Sequence, residues 1–291
     1  MASGLRHSIR GAYPIDPLAD GGASGPYPID WRPHYPFAGG HEVRRTRSYD
    51  GSEFHNPVTI GLYALARHAN LCRGVQPTEE RAFLAHADHL AETQDSRGGW
   101  AYPIPSPRYG LGPGWYSGMA QGIAASVLFR AGRYRGSAEY TSLGLLALDL
   151  MLEDTDRGGC TIYDRSMVRF IEEYPSTPPS LVLNGAVFAI IGLVEGHSVD
   201  DDRVQQAAEG LGSLVPRYDL GYWSAYDLRY STPASYAYHM LHVSLLRVLG
   251  GIVDAPNLTA FADRWALQAA QPAGRLRALL GRSGQALRRG W

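Results

Sequence analysis

The sequence predicts a mainly α-helical fold, an incomplete α/α toroid of about four helix hairpins with short β-hairpin loops at one rim. Three observations support this prediction. Apolar residues recur with helical spacing over most of the chain after Pro57. A glycine-rich motif returns about every 60 residues, which is typical of a stacked supersecondary unit. The connections that carry this motif run to roughly 20 residues, longer than joining two helices requires.

Eight helices follow from these patterns. Ile60, Tyr63, Leu65 and Leu71 fall on one stripe of the first helix. Pro77, followed closely by two acids, begins the second, because proline suits a first helical turn and acids suit its positive end. The predicted spans are about 57–73, 77–94, 117–132, 137–153, 180–195, 199–214, 236–249 and 257–271.

The glycine motif follows three of the hairpins. The segment 97–102 recurs at 157–163 and, more loosely, at 221–226. We interpret each copy as a glycine turn followed by a short strand pair. Because long loops on one rim commonly carry binding sites, we expect the functional site there. For Trp100 the alternative is a structural one, in which the turn docks a loop on a helix pair.

The chain divides into three predicted segments. Residues 1–54 are rich in Pro, Gly, Tyr and Arg and predict an irregular arm, whose aromatic residues need a partner surface on the main domain. Residues 55–272 form the predicted toroidal catalytic domain. Residues 273–291 form a basic tail that is either a solvated end or an attractor of anionic chains; its arginines are Arg275, Arg277, Arg282, Arg288 and Arg289.

Composition excludes several classes of protein. The formal net charge is −1, so we expect neither nucleic acid as a partner nor membrane insertion. All 27 basic residues are arginine, which excludes enzymes that need a lysine amine, such as Schiff-base enzymes and P-loop ATPases. Cys72 and Cys160 are too few for a disulfide scaffold or a thiolate zinc site. No signal peptide or membrane-spanning stretch is recognised, and we expect a cytoplasmic protein of bacterial type.

The first of three chemically suggestive patches lies where the third helix begins. Trp115 and Tyr116 precede Ser117, which is a predicted N-cap. Glycines at both ends of the segment 118–122 permit close approach by a neighbouring helix or by a ligand. Gln121 lies in the same turn and faces either the rim or the core.

The second patch is the proline-rich loop 172–180. Its prolines fix the direction of Glu173 and Tyr174, and Ser180 is positioned to cap the next helix. A rigidly held acid beside a phenol suits proton transfer, because a catalytic group must stay within hydrogen-bond reach. A solvated acidic loop with a packed tyrosine is the alternative.

The third patch combines a short strand with the helix that follows it. Asp227 and Arg229 share one side of the strand and are expected to pair, while Tyr226 faces the other side. On the helix, Tyr238 is followed at i+4 by a histidine that can share its face. His239 and His242 also have a possible metal spacing, but no third ligand stands at a diagnostic interval, and we expect no metal.

Several tyrosines, one glutamate and one or two arginines at one rim form a recognisable chemical set. It suits removal of a proton from a carbon next to a carboxylate. The arginine stabilises the enolate that forms, one group removes the proton, and another returns a proton on the opposite face. A phenol can act as the returning acid without help, whereas it needs a nearby cation to act as the base.

At these residues the sequence resembles the C-terminal helical domain of the D-glucuronyl C5-epimerases, which convert glucuronate to iduronate in heparan-type chains. The resemblance covers most of positions 55–270. The matching segments occur in the family's order at similar intervals: 57–60 with Tyr63, 98–100, 113–117 with 119–122, 172–175 with 177–178, 183–185, 226–229, and 238–239 with His242.

The resemblance implies an incomplete α/α toroid, chemistry without metal or cofactor, and a homodimer. The family's catalytic positions fall on Glu173, Tyr174, Tyr226 and Tyr238, and Arg229 matches a position close to the uronate carboxylate. We expect Tyr238 and Glu173 to form the opposed acid–base pair, and the resemblance leaves open which of them is the acid. We expect further substrate contacts from Trp115, Tyr116, Gln121, Asn184, His239, His242 and Arg108.

Four functions remain open at this stage. Family members carry a β-rich domain before the helical one, whereas about 55 residues precede the helices here, and this favours an open groove and a smaller uronate or another acidic metabolite. The first function, which the resemblance implies, is C5 epimerisation of a uronate-containing saccharide. The others are a small-molecule isomerase or cyclase, a uronate lyase, and a glycan-binding module without turnover.

Overall fold

The computed structural model describes residues 13–17, 19, 21–36, 40–48, 50–75, 77–163 and 169–289, with side chains for all of these except 163, 169 and 283–289. Nine helices lie in this part of the chain, and the mainly helical class is confirmed. They are α1 Pro57–Leu71, α2 Thr78–Thr93, α3 Gly118–Arg135, α4 Ala138–Leu152, α5 Leu183–Gly196, α6 Asp202–Leu214, α7 Tyr236–Ile252, α8 Pro256–Ala270 and α9 Pro272–Arg289.

Consecutive helices pair as the sequence predicts. The pairs α1–α2, α3–α4, α5–α6 and α7–α8 each pack together, and α1, α3, α5 and α7 also pack in that order. The odd-numbered helices therefore form an inner row, and each carries an outer partner. This arrangement is compatible with an incomplete α/α toroid, and the toroidal arrangement itself stays a prediction.

Glycine brings α3 and α5 close together. A Cβ added to Gly122 would lie 2.7 Å from the carbonyl oxygen of Phe188, and one added to Gly192 would lie 2.6 Å from the Cα of Gly122. Only a residue without a side chain fits at such a crossing. Gly122 therefore serves the packing of two helices, the first of the two roles that the sequence left open for it.

Ser117 and Ser180 differ in their capping roles. The Ser117 hydroxyl accepts a hydrogen bond from the Ala120 N–H, so the predicted N-cap of α3 is confirmed. The prediction for Ser180 is wrong. Helix α5 begins three residues later, at Leu183, because the Ser180 hydroxyl donates instead to the buried Glu172 carboxylate.

The three glycine motifs share a backbone geometry. Gly98, Gly158 and Gly221 have φ values of +89°, +83° and +79°, the left-handed region that favours glycine. The second copy leads into the antiparallel pair β3 (Thr161–Tyr163) and β4 (Arg169–Ile171). The first and third copies lead only into isolated bridges, such as Tyr102 with Trp115. A further hairpin joins β1 (Thr46–Arg47) and β2 (Glu53–Phe54) before α1.

The described part of the N-terminal segment packs on the helices. Tyr27, Ile29 and Trp31 are buried in the main hydrophobic cluster. Arg130 donates to the carbonyl groups of residues 22 and 25, while the same guanidinium forms a buried bidentate ion pair with Glu195 at 2.7 and 2.8 Å. The expected partner surface for the arm's aromatic residues is therefore present. The segment boundaries stay predictions.

The C-terminal residues are the main difference from the predicted elements. The segment expected as a solvated basic tail forms α9, which packs on α8 and buries Gly274 and Ala278. Small residues on one face let the helix approach its neighbours closely. In the described part of the chain, no helix combines the length and the apolar character needed to cross a bilayer.

Candidate active site

Glu173 lies two residues after β4, and contacts of the preceding Glu172 fix the chain at this point. The Gly118 N–H at the start of α3 donates to the Glu172 carbonyl at 2.9 Å. The Glu172 side chain accepts hydrogen bonds from the Leu181 N–H and the Ser180 hydroxyl, which closes the loop 172–181 on itself. Glu173 is thereby directed toward the first turn of α5.

The Glu173 carboxyl group is buried, with 7% of the residue exposed. The Asn184 side-chain amide donates to its Oε2 at 3.3 Å, and the Tyr174 hydroxyl forms a second hydrogen bond to it. Burial raises the pKa of Glu173 to about 7, although both hydrogen bonds act to lower it. The group can therefore accept or release a proton near neutral pH, as a catalytic acid or base must.

Tyr226 and Tyr238 form a pair beside this acid. Their rings meet edge to face with centroids 5.0 Å apart, and their side chains are hydrogen-bonded. Burial and then the nearby Glu173 charge raise the pKa of both phenols above the ordinary value. Both hydroxyls are therefore protonated at neutral pH and can donate a proton.

Tyr174 belongs to a row of stacked aromatic rings. It lies 4.6 Å from the Tyr109 ring and 5.2 Å from the Trp115 ring, centroid to centroid. Trp115 stacks in turn on Tyr102 at 4.2 Å with only 10° between the planes. The row joins the loops before α3 and α5 and gives the site an aromatic wall. Such a wall suits contact with the apolar face of a sugar ring.

Arg108 and Asp227 form the ion pair of the site, which corrects the predicted pairing of Asp227 with Arg229. Arg108 Nη2 donates to Asp227 Oδ2 at 2.8 Å, and the Tyr109 hydroxyl donates to the same oxygen at 2.9 Å. The Tyr230 N–H donates to the other carboxylate oxygen. Arg108 reaches this fully buried acid from a loop distant in sequence, so strand alternation gave no sign of it.

Arg229 instead holds the proline-rich loop. Its guanidinium donates to the Ser176 hydroxyl and to the Pro178 carbonyl, both at 3.0 Å. It also lies 5.3 Å from the centroid of the Tyr230 ring. Its contacts with these neutral groups leave its charge without a carboxylate partner in the described residues.

His239 and His242 are turned inward to Ser224. The Ser224 N–H donates to His239 Nδ1 at 3.1 Å, and His239 Nε2 donates to the Trp265 carbonyl at 2.9 Å. His242 Nδ1 lies 2.9 Å from the Ser224 hydroxyl. Burial lowers the pKa of His239 to about 4 and lowers that of His242 well below its ordinary value, so both rings are neutral. Both rings thus make internal hydrogen bonds, and their predicted substrate contacts stay untested.

Tyr116 and Gln121 lie in surroundings that differ from those of the phenol pair. The Tyr116 hydroxyl donates to Asp95 at 2.7 Å, and its ring packs against Gly99 in the first glycine motif. Gln121 is fully buried, and both polar atoms of its side chain lack a partner in the described structure. In the described part of the chain no hydrogen bond joins either residue to Glu173 or Tyr238, and their substrate-binding roles remain predictions.

Four tyrosines near the site were not predicted from the sequence. Tyr102 and Tyr109 belong to the aromatic row, while Tyr13 and Tyr35 of the N-terminal segment are close enough to Tyr238 to raise its pKa. The arm and the rim loops are both rich in tyrosine, and this shared composition was the available sign that they meet. It gave no register, because the arm has no periodicity.

An open cavity of about 380 Å³ is lined by Ala101 and Pro103, the chain neighbours of Tyr102. His55 and His89 line it, with their ring nitrogens 2.6 Å apart, together with Trp100. The cavity does not include the phenol pair. It therefore offers room beside the aromatic wall and not at the acid itself.

The fold and the site together define a class: a protein of repeated helix hairpins with a buried carboxyl group among protonated phenols at the ends of its loops. The family model described as D-glucuronyl C5-epimerase C-terminus matches residues 94–267. This match covers more than half of the chain, and the protein belongs to that family. The matched region includes Glu173, Tyr226 and Tyr238 and ends before α9.

Two curated proteins illustrate the similarity. The chain is 36% identical over 211 residues to D-glucuronyl C5-epimerase of Caenorhabditis elegans, covering 63% of this chain and 34% of that protein. It is 31% identical over 136 residues to an uncharacterized protein of Methanocaldococcus jannaschii, covering 44% of each. The chain thus matches about a third of the first relative and under half of the second.

Proposed function

We propose that this protein inverts C5 of a uronic acid in a saccharide, as a D-glucuronyl C5-epimerase does. The observation that supports the proposal is the buried Glu173, whose pKa is about 7 and whose charge acts on two phenols that stay protonated. An acid of this pKa and a neutral phenol are the two partners that a two-sided proton exchange needs.

In the proposed reaction the Glu173 carboxylate removes the proton from C5 on one face. The electron pair of the C–H bond moves into the neighbouring carboxylate, and an enolate forms. Tyr238 then donates its hydroxyl proton to C5 on the other face and becomes a phenolate. Tyr226, hydrogen-bonded to Tyr238, stabilises that phenolate, and proton exchange with solvent restores both groups.

Guanidinium groups support the charge that develops on the substrate. Arg108 lies 5.8 Å from the centroid of the Tyr226 ring, and Arg229 lies 6.0 and 5.3 Å from the centroids of the Tyr109 and Tyr230 rings. A fixed cation near the uronate carboxylate lowers the energy of the enolate more than that of the substrate. We assign this role to the two arginines jointly.

The remaining predicted residues have binding roles in this proposal. The half-exposed Trp115 at the aromatic wall supplies a surface for the sugar ring, and Asn184 orients Glu173. Tyr116 holds Asp95, and His239 and His242 hold Ser224, around the site, while Gln121 stays a predicted substrate contact. Tyr174 fixes the other side of the Glu173 carboxylate and packs in the wall.

We further propose a homodimer, as the family resemblance implies. Leu276, Leu279 and Leu280 of α9 are 58–64% exposed and would be covered by a second copy. Light scattering across a concentration series tests this, with a monomer at all concentrations as the contrary result.

The test is nuclear magnetic resonance of glucuronate-bearing saccharides incubated with the protein in deuterated water. Deuterium at C5 together with the iduronate signal is the expected result. Loss of the 4-substituent with a rise in unsaturated-product absorbance would indicate a lyase instead. Binding without exchange across substrates of several lengths would contradict turnover altogether.

A further inference from the structure

Helix α9 packs directly on the loop that carries Tyr226. Its buried Ala278 joins Trp223 and Ala234 in a small apolar cluster, against which Tyr226 and Tyr238 also pack. The same helix therefore contacts the surroundings of both phenols from outside the region that the family model matches.

Two glycines extend this contact along the helix. A Cβ added to Gly274 would lie 3.2 Å from the Tyr222 carbonyl oxygen, and one added to Gly281 would lie 3.1 Å from the Pro233 side chain. Gly274, Ala278 and Gly281 share one face of the helix by their spacing of four and three residues. That face sets the distance of α9 from the loop 222–233.

Arg282 lies one turn beyond Ala278, next to Gly281 and close to the packed face. The Arg108 guanidinium and the Tyr238 hydroxyl both act on its charge. Partial burial, followed by the like charge of Arg108, lowers the pKa of Arg282, while Tyr238 acts in the opposite direction. Arg282 therefore lies one turn along from Ala278, which packs in one cluster with both phenols, and next to Gly281, which contacts Pro233 of the loop that carries Tyr226.

The neighbouring arginines are occupied. Arg275 donates to the Ala269 carbonyl at 2.6 Å and lies over the Tyr236 ring, and Arg277 lies 4.5 Å above the Tyr222 ring. Arg282, by contrast, has no hydrogen bond or ion pair with any side chain or backbone group in the described ranges.

We propose that Arg282 is an anion-binding residue of this site and contacts a carboxylate of the saccharide substrate. The proposal rests on the proposed function for the identity of the ligand. A guanidinium matches a carboxylate with two parallel hydrogen bonds, and an anion placed between Arg108 and Arg282 removes the repulsion between these like charges. Arg282 binds substrate in this proposal and takes no part in proton transfer.

The experiment compares Arg282→Gln with Arg277→Gln, which removes the same charge from the same helix at a position over Tyr222. KM and kcat for C5 exchange are measured in deuterated water with a glucuronate-bearing heparan-type oligosaccharide. Calorimetry gives Kd for that oligosaccharide and for its carboxyl-reduced counterpart. Thermal unfolding establishes that both exposed substitutions leave the fold intact.

Arg282→Gln is expected to raise KM and Kd about tenfold, the contribution of one charge-assisted hydrogen bond, with kcat changed less than about twofold. Arg277→Gln is expected to match the unsubstituted protein. The carboxyl-reduced ligand is expected to bind the unsubstituted protein and the Arg282 variant equally.

Two results would overturn the proposal: unchanged KM and Kd in Arg282→Gln, or an equal rise in Arg277→Gln. The measurements also separate it from the proposed function. Carboxylate-dependent binding that Arg282→Gln weakens, without any C5 exchange, supports the anion site and contradicts epimerisation. Exchange with an unaffected Arg282 variant supports epimerisation and contradicts the anion site.

Discussion

Gly185 packs directly against Glu173, so that a Cβ added to the glycine would lie 2.4 Å from the Glu173 Cβ and 2.6 Å from its Oε2. The contact is with the base of the glutamate side chain as well as its tip, so rotation alone cannot relieve it. The absence of a side chain on the first turn of α5 thus makes room for the candidate catalytic acid.

Gly185→Ala is therefore expected to displace Glu173 and lower C5 exchange roughly 100-fold, because small misplacements of a catalytic group are costly. Gly251→Ala is the control, since no atom lies within 4 Å of its added Cβ, and it is expected to gain up to about 1 kcal/mol of stability. Exchange rates and thermal unfolding are measured for both. Full exchange in Gly185→Ala would contradict the placement of Glu173.

Glu173→Gln and Glu172→Gln form a matched pair. Burial raises the pKa of both acids to about 7, but Glu172 is bound to Ser180 and Leu181. Glu173→Gln is expected to lower exchange about 1,000-fold, and Glu172→Gln to retain most of it. In the unsubstituted protein, exchange should rise with pH through about 7, since the base must be ionised. Equal losses in the two variants would remove the specific role of Glu173.

The same carboxyl group makes folding stability depend on pH. The folded-state pKa of Glu173 is about 7, above the ordinary value of 4.5, so burial disfavours the charged form. The stability that comes from the protonated Glu173 carboxyl group is fully present below pH 4.5 and is lost as the pH rises through 7. The loss in unfolding free energy is at most about 3 kcal/mol, and Glu173→Gln is expected to abolish it.

Denaturant unfolding across this pH range measures the effect as the difference in unfolding free energy between Glu173→Gln and the unsubstituted protein. The difference should grow in favour of the variant toward alkaline pH. A constant difference would mean that the folded-state pKa of Glu173 is ordinary.

Tyr238→Phe removes the hydroxyl that we assign as the acid and leaves the ring packed on Tyr226. We expect exchange to fall about 1,000-fold and stability to change by about 1 kcal/mol or less. Tyr236→Phe on the same helix, a half-buried residue that packs on Trp223, is the control and should retain exchange. Retained exchange in Tyr238→Phe would exclude this residue from the mechanism.

Arg108→Ala leaves the fully buried Asp227 carboxylate without its cation. We expect a loss of about 2–4 kcal/mol in unfolding free energy, and partial recovery in Arg108→Ala with Asp227→Asn, because the uncompensated charge is then gone. Arg247→Ala breaks a largely exposed pair with Asp263 and should cost less than about 1 kcal/mol. Denaturant titration compares these variants, and a double variant no more stable than Arg108→Ala would refute the buried-charge explanation.

The helices and their pairing could be predicted because the information is local. Apolar spacing placed α1 to α8 within a few residues, and Ser117 marked the start of α3. The exact start of α5 and the existence of α9 could not be obtained in this way. Ser180 is diverted by Glu172, and the packed face of α9 consists of glycine and alanine, which carry no hydropathy signal.

The sequence by itself determined the helical hairpins, their glycine turns and the short stretches that hold the acid and the phenols, because backbone propensity and periodicity depend on neighbours along the chain. Only the tertiary structure decided that Asp227 pairs with Arg108, that Gly185 makes room for Glu173, and that α9 packs against the loop that carries Tyr226. These relations join residues far apart in sequence or in different elements, and burial in the assembled fold sets their distances and their pKa values.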